Sequence, residues 1–202
     1  MSRPRGQDPH EPGLPLSLGQ LGMIVLLISI SVLFVAACIA VLITSHQAPS
    51  HQVPLWRQPG HRGPPWGTAA SSLLLGLVSW QLQVSLLAIR TNRYTRCLQS
   101  WRWAALAAVA FLLVQLLNAR HLQNVEGELA SRALFVFCYD LLVGLHAAHV
   151  LGGFIPLAVV HGKISRRDYS SSRHTGLTFC VQYWHYLTAA WLVVLGTLAW
   201  IS

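Results

Sequence analysis

Apolar residues in this chain come in long blocks, and polar residues collect in short stretches between them. Five blocks have the length that a helix needs to cross a bilayer, about 20 residues. The first runs from about Leu21 to Thr44 without a charge. The second, about Thr68 to Ile89, lies between Pro64-Pro65 and Arg90. The third is shorter, about Trp101 to Asn118, with Arg102 at its start. The fourth, about Ala133 to Val160, carries Asp140 as its only charge, and the fifth, about Leu177 to Ser202, carries none. Strands of a membrane barrel would be about ten residues long and alternate in polarity; these blocks are longer and do not alternate. The pattern predicts an all-α integral membrane protein, a bundle of five transmembrane helices over residues 21–202. Residues 1–20 are proline-rich and read as a disordered tail with no signal-peptide pattern.

Composition narrows the picture. Of 202 residues, 53% are hydrophobic and only 10% are charged, with a mean hydropathy of +0.49. A soluble domain carries roughly 25% charged residues, so a cytosolic enzyme and a disordered chain are both excluded. The net charge of +8 raises the question of nucleic acid. The basic residues, however, sit in short clusters between apolar blocks, where they serve as topology signals and contacts to anionic lipid. Arg3, Arg5, Arg90, Arg93, Arg96, Arg102, Lys163, Arg166, Arg167 and Arg173 fall on one side of a five-span chain. Arg57, Arg62, Arg120 and Arg132 fall on the other. The richer side faces the cytoplasm, which predicts a cytoplasmic N-terminus and an external C-terminus. Trp66, Trp101, Trp103 and Trp200 lie near segment ends, where indoles favour the membrane interface.

Much familiar chemistry is missing. Cys38, Cys138 and Cys180 lie in apolar blocks and Cys97 in a basic loop, with no spacing for a disulfide framework or zinc. Walker, dinucleotide, HExxH and GxSxG motifs are lacking. No internal repeat is found, and an odd number of spans argues against an inverted-repeat transporter.

Polar groups inside a membrane are costly, so those in the apolar blocks are functional candidates. His146 and His149 are three residues apart on one face of the fourth helix, and Gln182 and His185 are three apart in the fifth. A metal site or haem axial pair built from these histidines is one reading. Hydrogen bonds between helices, or to lipid head groups, are the favoured one. Asp140 lies about 120° around the helix from His146; it is a candidate proton-path residue without an aligned partner. Gly144, Ala147, Ala148, Gly152 and Gly153 suit close helix packing, and Pro156 suits a bend.

Taken together, Tyr183-Trp184-His185-Tyr186 with Trp191, and Gly144-Leu145-His146-Ala147-Ala148-His149-Val150 with Gly152, resemble subunit III of the haem–copper terminal oxidases (cytochrome c oxidase), in its short five-helix bacterial form. Phe111-Leu112-Leu113-Val114-Gln115 and the opening stretch Gly22, Met23, Leu27, Ser29 add to the likeness, which covers nearly all of the chain after the tail. The chain is a divergent member of that pattern. Ile30, Asn118, Thr178 and Thr188 stand where the family usually has acids, and Val143 where it has threonine.

The resemblance implies an accessory, non-catalytic subunit of a proton-translocating oxidoreductase that reduces oxygen to water. It would hold no redox centre or metal of its own, since haem and copper belong to subunit I. Its partners would be subunits I and II and bound phospholipid, not nucleic acid, and its place the bacterial inner membrane. His146, His149, Gln182 and His185 would then make lipid or interhelical contacts, and the loss of the family carboxylates weakens a proton-handling role. The same part in a quinol oxidase or a nitric oxide reductase-associated complex is an alternative. An independent b-type cytochrome or a small transporter are alternatives of another class.

Overall fold

A computed structural model describes residues 18–47, 66–130, 134–170 and 174–201. Among the described residues the chain forms five α-helices: α1 (Leu18–Gln47), α2 (Trp66–Arg90), α3 (Tyr94–Ala130), α4 (Leu134–Ser165) and α5 (Thr175–Ile201). Residues 1–17 of the expected tail lie outside the described residues, as do Arg57, Arg62, Arg132 and Arg173; residues 18–20 open α1. Helices α1 to α4 are long and apolar enough to cross a membrane. Helix α5 has 27 residues and carries no charged side chain.

The largest departure from the sequence pattern is α3, which starts seven residues earlier than the apolar block and runs twelve residues beyond it. Its first turns carry Arg96, Gln99 and Arg102 outward while Cys97, Ser100, Trp101 and Ala104 are buried, a helical spacing hidden by the charges. One expectation changes with it. Cys97 is not in a loop but buried in α3, where Ser85 Oγ lies 3.1 Å from both its carbonyl and its sulfur. Trp101, near a segment end, is buried between helices, its Nε1–H donating to the Leu157 carbonyl of α4 at 3.2 Å. Trp103 and Trp200 are exposed.

Helices α2 and α3 form a tight antiparallel hairpin. Its turn is a Schellman motif: Arg93 N–H donates to Ala88 O, Asn92 N–H donates to Ile89 O, and Asn92 has φ 57°. The end of α4 repeats this geometry. Asp168 N–H reaches Lys163 O, Arg167 N–H reaches Ile164 O, and Arg167 has φ 59°. The two ends meet in space. Tyr94 Oη donates to the Tyr169 carbonyl at 2.5 Å, and the Arg167 guanidinium lies 6.0 Å from the centre of the Tyr94 ring. The connections α2–α3 and α4–α5 therefore lie at one end of the bundle.

Helix α5 packs against α1, α2 and α4, while α4 also packs against α1 and α3. Close approach of α4 and α5 depends on Gly153, where a Cβ would come within 3.0 Å of Tyr183 and 3.2 Å of Trp184. Helix α4 continues through Pro156. Outward faces are rich in exposed leucine, isoleucine and valine, which suits a hydrocarbon solvent or protein partners.

Candidate functional site

His146 sits on the inward face of α4 with Leu142 and Val150, one turn away on either side, and is 1% exposed. Its ring lies 4.9 Å from that of Trp191 on α5, tilted by 31°. Phe34 of α1 and Phe111 of α3 meet it edge-on at 6.0 and 6.1 Å. Neither ring nitrogen has a hydrogen-bond partner in the structure. Trp191 in turn packs on Phe111 at 5.8 Å and donates its Nε1–H to Ser72 Oγ of α2 at 3.1 Å. Rings from α1, α3 and α5 thus converge on this one imidazole, and α2 supports it from behind Trp191.

His149, one turn along α4, is half-buried and shares Phe34 with His146, at 5.5 Å. Its Nδ1–H donates to the Leu145 carbonyl at 2.7 Å, and its own carbonyl accepts the Tyr183 hydroxyl at 2.8 Å. The bond to Leu145 places the proton on Nδ1 and ties the ring to its own helix.

His185 faces another way. It contacts α2, with Nδ1 against Ser79 Oγ and Nε2 3.2 Å from Gln83 Oε1. A carbonyl oxygen only accepts, so Nε2 carries the proton and Nδ1 accepts from the serine. Gln182, three residues earlier, is exposed on a groove of about 640 Å³ that also takes in Gln20, Leu27, Arg90, His174 and Thr178. Asp140 is exposed on α4, remote in angle from buried His146.

The four polar candidates therefore do not form one cluster. His146 and His149 share the α1–α4 contact, His185 belongs to the α2–α5 seam, and Gln182 opens onto the groove between α1, α2 and α5. Among the described residues, no three His, Cys, Asp or Glu side chains come together as metal ligands. Three aromatic rings close around His146 and both nitrogens of His185 are engaged, so these two do not offer a haem axial pair; His149 is bonded through Nδ1 alone. Sequence reasoning named Phe111 only for the family likeness and missed the other residues that do the holding: Phe34, Ser72, Ser79 and Gln83. Ser31 also escaped notice; the Tyr186 hydroxyl lies 2.9 Å from it, and its own hydroxyl donates to Leu27 O, so Tyr186 is the donor between them. The one available signal was the spacing of Ser72 and Ser79, seven apart and so on one face of α2.

Comparison with protein-family models finds no match. Comparison with characterised proteins finds several. Cytochrome c oxidase subunit 3 of Thermostichus vulcanus is 30% identical over 194 residues, covering 90% of this chain and 86% of the relative. Cytochrome c oxidase subunit 3 of Synechocystis sp. is 28% identical over 187 residues, covering 88% and 73%. Cytochrome bo(3) ubiquinol oxidase subunit 3 of Pseudomonas aeruginosa is 29% identical over 89 residues, and there the match spans 44% of this chain and 42% of the relative. With the long apolar helices and an alignment running almost end to end, these similarities establish a multi-pass membrane protein that belongs to the cytochrome c oxidase subunit 3 family.

Proposed function

We propose that this chain is an accessory subunit of an aerobic terminal oxidase of the bacterial inner membrane, one that reduces oxygen to water and pumps protons. It carries no redox centre; haem and copper reside in subunit I, which it stabilises together with subunit II. It crosses the membrane five times, with the N-terminus in the cytoplasm. The observation that carries the accessory reading is the use to which its intramembrane histidines are put. His146 is closed in by aromatic rings, and His149 and His185 are held by hydrogen bonds within the bundle. Among the described residues they do not converge with other His, Cys, Asp or Glu side chains on one point, as a metal site would require.

The groove lined by Arg90, His174 and Gln182 supports a retained phospholipid. It lies at the end of the bundle where α2 finishes and α5 begins, so an arginine there meets a head-group phosphate at the membrane surface. Asp140, exposed and off the face of His146, supports no continuous proton route through this subunit. The likeness to a ubiquinol oxidase subunit supports a second reading, the same structural part in a quinol-fed complex. The electron donor binds elsewhere in either case.

The test is deletion of the subunit from its complex. Initial oxygen reduction should stay largely intact while the working life of the complex shortens. Stoichiometric haem or copper in the purified subunit would overturn the reading.

A further inference from the structure

Gln83 and Trp80 are one helical turn apart on the outward side of α2, and both are exposed, Trp80 by 70%. They lie well inside the apolar span Ala69–Arg90. At 1.5 Å per residue, Gln83 is about 10 Å and Trp80 about 15 Å from the Arg90 end. An indole normally lodges at the membrane interface, and this one is near mid-span. An amide facing hydrocarbon has neither water nor lipid oxygen to bond.

The hydrogen-bond chain at the seam fixes what Gln83 has left to offer. Ser79 donates to His185 Nδ1, and His185 Nε2–H donates to Gln83 Oε1. The engaged atom of the amide is therefore its oxygen, and its two N–H donors remain. Trp80 adds an indole N–H, a donor with no accepting capacity. Gly76, one turn from Trp80 on the same side, is open, and a Cβ there would meet nothing within 4 Å. A neighbouring backbone can approach closely at that point.

Building on the accessory reading above, we propose that this face of α2, at its seam with α5, is where a transmembrane helix of another oxidase subunit docks. That helix presents a hydrogen-bond acceptor, a carboxylate, amide oxygen or hydroxyl, at the depth of Gln83 and Trp80. Lipid chains carry no acceptor at this depth. A second copy of this chain would bring the same donors, with only the second lone pair of its Gln83 oxygen to accept them.

The test uses the intact complex, with the photo-cross-linking residue p-benzoylphenylalanine placed at position 80 and, as a control on another helix, at exposed Ile155 of α4. Position 80 should cross-link to a different subunit. Gln83→Leu should lower retention of this chain in the detergent-purified complex by about threefold to tenfold, the range of one interhelical polar contact. Cross-linking from position 80 to lipid alone, or to a second copy of this chain, overturns the proposal. If position 155 then captures another subunit, the docking face is wrong while the accessory reading stands. If neither position captures another subunit and the chain does not co-purify with an oxidase, both readings fall.

Discussion

His146 and His185 sit on helices that pack against each other, yet they are held by opposite means. Around His146 the bundle is dry and aromatic, with rings from three other helices and no bond to either nitrogen. Around His185 it is a directed chain of hydrogen bonds from Ser79 through the imidazole to Gln83. An imidazole can serve a membrane bundle as a flat ring that fills space between aromatic faces. It can also serve as a two-ended polar connector between helices. Which use applies is decided by the neighbours each helix presents, not by the histidine. Helix α2 makes the difference here: its Ser79 and Gln83 meet His185 directly, whereas its Ser72 meets the indole of Trp191, and it is that indole which packs on His146.

The largest break in this comparison should come from Trp191→Ala. It removes the ring nearest His146 and the bond to Ser72, and large-to-small aromatic changes in a packed core cost about 3–5 kcal/mol. Loss of folded subunit in a denaturant titration would measure it. A change below about 0.5 kcal/mol, the size of a surface substitution, would mean that the aromatic cluster is not a stabilising centre.

Gly153→Ala tests the close approach of α4 and α5 on the dry side. Tyr183 and Trp184 stand at 3.0 and 3.2 Å from the new methyl group, so overpacking should cost about 1–3 kcal/mol. Gly144→Ala in the same helix meets nothing within 4 Å and should gain about 0.5–1 kcal/mol from helix propensity. The two alanines should therefore move the unfolding midpoint in opposite directions, and equal shifts would show that α4 and α5 are not in contact at Gly153.

Smaller again is His185→Phe, which removes both ends of the α2–α5 chain. Interhelical hydrogen bonds in membranes are worth about 1 kcal/mol. A double-mutant cycle with Gln83→Leu should return a coupling energy of that order, and strict additivity would show that the bond to Gln83 contributes nothing.

Which of these effects could be foreseen depends on how far a helix's own residues specify its neighbours. The five helices are legible because a long apolar block bounded by arginines must satisfy its backbone internally if it is to lie in hydrocarbon, and a helix does that. The extent of α3 is not legible, because its first turns mix Arg96 and Arg102 with the buried Cys97 and Trp101, and its last turns, around Arg120, Glu126 and Glu128, are polar. Partner faces are harder still. Where a helix is apolar on every side, as α1 nearly is, sequence periodicity cannot say that Phe34 rather than Leu33 turns inward. The polarity of His146 and His185 marks both against their surroundings. It does not say that one meets rings and the other a serine and a glutamine, since those residues lie on other helices, far away along the chain. A seam such as Ser72, Ser79 and Gln83 is the readable exception, because polar residues recurring on one side of an otherwise apolar helix have to be paired with something.

The smallest expected effect is also the sharpest discriminator. His146→Phe replaces one flat ring by another of slightly larger size among Phe34, Phe111 and Trp191. No hydrogen bond is lost, because neither imidazole nitrogen makes one. The substitution also removes the desolvation of two polar atoms, which for an unsatisfied buried group costs about 1–3 kcal/mol. Against that stands the strain of fitting a six-membered ring into a space shaped for five, of similar size in a close-packed core. The two terms oppose each other, so the net change should lie within about 1 kcal/mol of zero and should be smaller than the loss for His185→Phe. Measured side by side under the same denaturant, the two phenylalanine variants give an ordering rather than an absolute value, which is insensitive to the choice of unfolded state. Were His146→Phe the more damaging of the two, the imidazole would have to be bonding through a nitrogen after all, and the division into a packing histidine and a connecting histidine would fail.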